Sequence, residues 1–160
     1  MTVLKLLGGA LVAAFCCGIS AEARRRDAER LALIDGFLRL IAFARSEVDC
    51  FLTPQGRILE KCGAEMLSAC GWTEAEPPRD LSAVVAGARA GLDHEAYRLL
   101  LPFAASFGRG FREEQLKMCD SCLSALGDIR RTLEGELPRR RRAFLSTAIC
   151  AAVAAALVLL

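Results

Sequence analysis

Residues 138–160 read PRRRRAFLSTAICAAVAAALVLL, in which four arginines precede eighteen residues without a formal charge. An α-helix of eighteen residues is about 27 Å long, close to the roughly 30 Å hydrocarbon core of a bilayer. A buried helix of a soluble domain is the alternative, but such a helix is rarely apolar on every face. Residues 143–160 therefore predict a C-terminal transmembrane helix.

A second apolar stretch lies near the start of the sequence. Residues 6–21 carry no formal charge, and Lys5 before them can place its ammonium at the membrane interface while its stem stays among the lipid tails. Lys5, the apolar run and the small residues of SAEA also match a cleavable signal peptide, which is the alternative. Three arginines, residues 24–26, follow at once, and arginines resist translocation. We therefore predict a retained transmembrane helix over residues 1–21.

The charged residues lie between these two stretches. The sequence has 21 Lys and Arg and 19 Asp and Glu, and all of these except Lys5 fall between Glu22 and Arg142. Arginine-rich flanks stay on the cytoplasmic side of a membrane and attract anionic lipid headgroups. The sequence predicts a two-span protein of the cell membrane, with both termini outside and a cytoplasmic domain over residues 22–142.

The middle domain is predicted to be all-α. Between Leu31 and Val48 the apolar residues recur at spacings of three, four or seven, which is the period of a helix, and this helix is continuous with the first span in the pattern. Thr53 and Pro54 predict the start of a second helix that reaches Gly71, because a hydroxyl often caps a helix that begins with proline.

Three further helices follow a break at the two prolines of GWTEAEPPRD. Asp80 is expected to cap a third helix that ends near Gly91. Residues 94–107 predict a fourth helix, which Pro102 should kink or split. After a glycine-rich turn, a last helix runs into the second span with a disturbance at Pro138. No segment alternates with the period of a strand, so the predicted architecture is a helical bundle between two membrane spans.

The cysteines favour packing over chemistry. There are eight, and three of them lie in the predicted spans, so they do not form a regular disulfide framework. Cys119 and Cys122 form the one C-x-x-C pair, which could bind zinc or carry out redox chemistry. No second ligand pair has zinc-site spacing, His94 is the only histidine, and no strand pattern precedes the pair. Two cysteines three residues apart on a helix share a face, as packing residues do.

The sequence predicts no enzyme. It has no glycine-rich phosphate loop, no G-x-S-x-G and no H-E-x-x-H. Glu113 and Glu114 are adjacent, so on a helix they point about 100° apart, and they suit a solvated helix start better than an acid and base pair. We expect no catalytic residue, cofactor, metal or small-molecule substrate. Nucleic acid is not an expected partner, because the arginine runs adjoin apolar spans and lack interleaved aromatic residues.

Three stretches together resemble the stage III sporulation protein AB family of endospore-forming bacteria. They are KLLGGALV in the first span, SEVDCFLTP over residues 46–54, and FGRGFREEQLK over residues 107–117. In the second stretch the matching residues are Glu47, Thr53 and Pro54. In the third they are Gly108, Gln115 and Lys117. The sequence departs from the family at Phe111, where an aspartate is usual, and at Gln55, where a leucine is usual.

The resemblance implies a fold and a role. The family is similar to the helical cytoplasmic domains of type II secretion and type IV pilus platform proteins, which engage a secretion-type ATPase. A member is expected to be a non-enzymatic component of the channel complex between mother cell and forespore. Its partners would be that ATPase, other stage III sporulation membrane proteins and membrane lipid, and its location would be the outer forespore membrane, facing the mother cell.

The expected partner-binding residues are the matching positions of the two later stretches: Glu47, Thr53, Pro54, Gln115 and Lys117. Gln115 and Lys117 are favoured, because polar residues near a helix start have less structural necessity. Two other functions stay open. One is a membrane-anchored helical scaffold without an ATPase partner, and the other is a secreted helical protein with disulfides, which requires cleavage of the first apolar stretch.

Overall fold

The protein is described by a computed structural model, which covers the backbone of residues 2–51 and 55–159 and the side chains of residues 21–50 and 57–138. These residues form helices without strands, which confirms the all-α prediction. The helices are α1 (Thr2–Phe51), α2 (Gln55–Lys61), α3 (Gly63–Ala69), α4 (Leu81–Gly87), a 3₁₀ turn (Ala88–Ala90), α5 (His94–Ser106) and α6 (Arg112–Leu159).

The chain divides into two compact units. The first comprises residues 1–28 and 133–160, and in it Glu22 and Arg26 form an ion pair of 3.1 Å one turn apart on α1. The second, here called the helical domain, comprises residues 29–132. Within the residues that the structure describes, no helix combines the length and the apolarity that crossing a bilayer requires. The predicted spans, 1–21 and 143–160, lie almost entirely outside the described side chains, and with the predicted domain boundaries they stay predictions.

The core of the helical domain follows the helical period that the sequence shows. The helices α1, α4, α5 and α6 bury residues three or four positions apart, as expected when one stripe of an amphipathic helix faces the interior. The fully buried large side chains are Phe37, Ile34, Leu40, Ile41, Ile58, Leu100, Leu126, Val84, Val85, Cys70 and Cys119. Apolar burial of this kind is the main favourable term in the folding of the domain.

The second predicted helix is divided in two. We expected one helix up to Gly71, but α2 ends at Lys61 and α3 begins at Gly63. The amide of Cys62 still donates to the carbonyl of Ile58 at 3.0 Å, which closes the last turn of α2. Gly63 then has a φ of +71°, which an α-helix does not allow, and glycine adopts it without steric cost. The predicted cap at Thr53 and Pro54 lies outside the described residues.

The predicted cap of the third helix agrees with the structure, whereas the predicted effects of the two prolines within helices do not. Asp80 caps α4, since its carboxylate accepts from the amide of Ala83 at 2.8 Å. We predicted that Pro102 would kink or split the fourth helix. The split is wrong, because α5 continues through this residue. The hydroxyl of Ser106 donates to the carbonyl of Pro102 one turn later. Likewise, α6 includes Pro138 as one helix, and α1 is continuous as the pattern predicted.

The packing of α1 against the end of α3 depends on Gly36. A Cβ atom at this buried position would lie 2.2 Å from the carbonyl oxygen of Ala69 and 2.6 Å from its carbon. No real Cβ approaches an oxygen so closely, and the obstacle is backbone, which cannot rotate away as a side chain can. Glycine at position 36 therefore lets the two helices approach to backbone contact.

We expect Gly36→Ala to lower the free energy of unfolding of the helical domain by about 1–3 kcal/mol, the usual cost of overpacking. The control is Gly127→Ala on α6, where an added Cβ meets nothing within 4 Å. That change should instead raise stability by about 0.5–1 kcal/mol, because alanine favours a helix. Urea unfolding in detergent, followed by fluorescence of Trp72, the only tryptophan, measures both. Equal effects of the two substitutions would contradict the close approach.

Candidate partner-binding surface

Three aspartate and arginine pairs join α1 to α6 within the helical domain. Asp35 pairs with Arg130 at 2.5 Å, Arg45 with Asp120 at 2.6 Å, and Asp49 with Arg112. From Asp35 to Arg45, and from Asp120 to Arg130, the step is ten residues, which is about 15 Å of helix on each side. The pairs therefore fix α1 and α6 as antiparallel neighbours. We call these three pairs the ladder.

The middle pair of the ladder is a two-bond contact. Arg45 donates through Nε to one oxygen of Asp120 at 2.6 Å and through Nη2 to the other at 3.3 Å. This hydrogen bond holds the pKa of Asp120 below the ordinary aspartate value, and the same bond raises the pKa of Arg45. Two parallel bonds from one planar guanidinium set the position of both helices more sharply than a single contact would.

The end pair of the ladder closes the end of α1. An Nη2 group of Arg112 donates to the backbone carbonyl of Asp49 at 2.9 Å and also to the Asp49 carboxylate. The last four carbonyls of a helix have no partner within that helix, and α1 ends at Phe51. Arg112, the first residue of α6, thus caps α1 and holds the two helix ends together.

The turn before α6 is held by two polar side chains. Glu114, three residues after Phe111, accepts a hydrogen bond from the Phe111 amide at 3.3 Å, which is one half of a capping box. Gln115 donates from Nε2 to the carbonyl of Gly110 at 3.1 Å. Gly108 and Gly110 have φ values of +83° and +112°. A side chain at Gly110 would also lie 2.7 Å from the Glu114 carboxylate, so glycine is required there.

Glu47 is mostly buried and has an internal partner. It is 9 % exposed, and its Oε2 lies 2.5 Å from Nζ of Lys61 at the end of α2. Burial raises the pKa of the neighbouring Cys62 thiol to about 11, and the negative charge of Glu47 adds to that rise. In this position Glu47 holds α2 against α1, and its carboxylate is not offered to solvent.

The structure brings the described part of the stretch around Glu47 next to the stretch around Gln115. Because Asp49 and Arg112 are in contact, the residues around Glu47 and those around Gln115 lie at one end of the helical domain. Lys117 is exposed, and Gln115 is half-buried against its own turn. Thr53 and Pro54 fall outside the described residues, so their predicted role stays a prediction. The sequence did not reveal the hydrogen bond that Gln115 donates to the carbonyl of Gly110.

Phe111 lies at this same end and is not among the residues that the sequence predicted to bind a partner. It is 81 % exposed, whereas the other exposed large apolar residue of the described part, Leu101, is 43 % exposed. Phenylalanine is among the residue types most often buried, so its exposure at a fixed turn is unusual. We call Arg109, Phe111, Gln115 and Lys117 the Phe111 surface. A lone aromatic residue outside any apolar period gives no signal in the sequence.

The C-x-x-C pair lies inside the fold. Cys119 and Cys122 are both buried on one face of α6. Burial raises the pKa of Cys119 to about 11 and that of Cys122 to about 12, the opposite of the lowered pKa that a reactive thiol needs. This environment supports the packing interpretation. Within the described residues, no group of three or more His, Cys, Asp or Glu could hold a metal ion. That the chain is no enzyme and has no cofactor stays a prediction.

Comparison of the chain with protein-family models, with curated proteins and with solved structures finds no match. The resemblance to the sporulation family therefore remains a prediction from the motifs of the sequence.

We expect Lys61→Met to lower the free energy of unfolding by about 1–3 kcal/mol, because the nearly buried carboxylate of Glu47 loses the ammonium beside it. The double variant Glu47→Gln with Lys61→Met should recover part of that loss, since neither residue of the pair is then charged. Urea unfolding followed by Trp72 fluorescence gives both values. A single variant as stable as the wild type would rule out this pair as the contact that holds α2.

We expect the stability contributed by Asp120 to depend on pH. The pKa of Asp120 is lowered in the folded state, so its contribution is complete above the ordinary aspartate pKa of about 3.9 and is lost as the pH falls through the lower folded value. Asp120→Asn should therefore lower the urea midpoint at pH 6, and this difference from the wild type should shrink as the pH falls below about 3.9. Asp128→Asn, whose pair with Arg131 lies within one helix turn, is the control and should have less effect. An Asp120→Asn effect independent of pH would contradict the ladder.

Proposed function

We propose that this chain is a non-enzymatic membrane adaptor of the stage III sporulation channel complex between mother cell and forespore. Its helical domain engages the secretion-type ATPase of that complex, and its spans associate with other stage III membrane proteins. It belongs to the outer forespore membrane, with the domain in the mother-cell cytoplasm. The arginine clusters beside the spans meet anionic lipid headgroups.

The observation that carries the proposal is the meeting of the two motif stretches. They are separated by more than fifty residues in the sequence, yet the contact of Arg112 with Asp49 brings them to one end of the helical domain. Residues that form one binding surface must be neighbours in space. The exposed Phe111 and Lys117 lie at this same end, where a partner can reach them.

The antiparallel arrangement of α1 and α6 supports a two-span anchor. Residues 29 and 132 lie at the same end of the domain, because the ladder runs from Asp35 with Arg130 to Asp49 with Arg112. A membrane hairpin requires both passages into the domain at one end. From residue 132 back to Arg112 there are twenty residues of helix, about 30 Å, so the Phe111 surface lies at the opposite end of the domain. An ATPase in the cytoplasm would meet that end.

The test is co-purification in detergent of the tagged full-length protein from its sporulating host. We expect the wild type to bring down the secretion-type ATPase and other stage III membrane proteins. A variant in which residues 22–142 are replaced by an unrelated helical bundle should lose the ATPase. The charge reversal Lys117→Glu, combined with Gln115→Ala, should weaken ATPase recovery while Trp72 fluorescence shows a folded domain.

The possible contrary results separate two errors. If the wild type recovers the membrane proteins without the ATPase, the adaptor role is wrong and the scaffold without an ATPase partner is supported. If the wild type recovers the ATPase and the Lys117 and Gln115 variant does so equally, the adaptor role stands, and these two residues are not the contact.

A further inference from the structure

The two apolar stretches lie at matched distances from the ladder. Asp35 and Arg130 are in contact, so they mark one level along the antiparallel helices α1 and α6. The uncharged stretch of α1, residues 6–21, ends fourteen residues before Asp35, and that of α6, residues 143–160, begins thirteen residues after Arg130. Both elements are single helices over these arms. At about 1.5 Å per residue, the two arms differ in length by about 1.5 Å.

The described side chains of the first unit show the start of a contact between the two arms. On α1, Ala23 and Asp27 are half-buried, while the residues on either side of each are exposed. On α6, Leu133 and Leu137 are half-buried in the same way. Each pair is four residues apart, and one shielded stripe on each of two helices is what packing between them produces. Residues 1–28 and 133–160 form one compact unit, so each arm has the other as its neighbour.

The composition of both stretches suits contact between helices in lipid. Eight of the sixteen residues in 6–21 are Gly, Ala or Ser, and so are eight of the eighteen residues in 143–160. Lipid tails are as apolar as leucine, so burial of apolar area does not drive helices together in a bilayer, and close packing of backbones does. Small side chains permit that close packing.

We infer that the two apolar stretches bind each other in the membrane, as an antiparallel hairpin of two helices in the register that the ladder sets. Each stretch is the membrane partner of the other, which leaves the outer faces of the hairpin for lipid and for other proteins. Continued with the same step, the register puts Cys16, nineteen residues before Asp35, level with residue 149, next to Cys150. The inference rests on the two predicted spans and goes beyond the proposed function, since it requires neither the sporulation complex nor its ATPase.

The first test uses the described residues of the two arms. Asp27→Cys is combined with Leu137→Cys in the tagged full-length protein, and membranes are oxidised with copper phenanthroline. The matched control combines Ala23→Cys with Leu133→Cys, which lie on the same stripes but about 13 Å out of level. A disulfide requires Cα atoms within about 7 Å, so we expect a disulfide within one chain from the first pair and none from the control. Trypsin digestion and mass spectrometry identify the linked peptides, and Trp72 fluorescence checks that the helical domain is folded.

The second test measures the register within the apolar stretches. Single cysteines at residues 14–17 are combined with single cysteines at residues 148–151, which the register places at the same level. Four successive residues cover one full turn of each helix, so the outcome does not depend on which face either helix turns to the other. The control set replaces 148–151 by 155–158, on the same faces but about 10 Å out of level. Cys16, Cys17 and Cys150 are changed to serine wherever they are not the tested residue.

We expect a disulfide within one chain from at least one pair of the level set and from none of the control set. Equal yields from the two sets would overturn the register, and no disulfide from either set would overturn the pairing. Disulfides only between two differently tagged copies would make a second copy the partner and overturn the hairpin. Recovery of the ATPase by the unmodified protein is measured separately, so a failed hairpin and a failed adaptor role remain distinguishable.

Discussion

The arrangement of the helical domain depends on the contact of α1 with α6, and above all on the ladder of aspartate and arginine pairs between them. Burial of apolar side chains supplies most of the folding free energy, but it has no direction and leaves the register of two long helices poorly defined. Partly exposed ion pairs contribute little energy each. A guanidinium that binds both oxygens of a carboxylate, as Arg45 binds Asp120, nevertheless fixes where one helix lies along the other.

Local features of the fold could be predicted from the sequence, and distant contacts could not. Helical periods located the core stripes, and Asp80 was recognised as a cap because a cap acts over three residues. The break at Gly63 was missed, since glycine within an apolar helical pattern is ambiguous until its φ is known. Asp49 and Arg112 are 63 residues apart, and nothing in one sequence distinguishes that pair from other possible pairs of opposite charge.

The candidate surface was also predicted only in part, because it depends on contacts between residues that are distant in the sequence. The motifs pointed to Gln115 and Lys117 near the start of the last helix, and the structure places that start beside the end of α1. It also gives Gln115 a bond within its own turn, so the argument that a polar residue there lacks a structural role does not hold. Exposure is a property of the folded surface, which is why Phe111 could be read from the sequence only as a departure from a family pattern.

The polar residues at this end divide into two groups with different consequences for binding. Glu47, Glu114 and Gln115 satisfy groups of the chain itself, so their replacement would first disturb the turn and the helix ends. Such residues position a surface without necessarily touching what binds there. Phe111 and Arg109 are presented to solvent by that framework and are the groups that a partner can contact. A motif residue can therefore matter for an adaptor because it holds a neighbouring, exposed side chain in place.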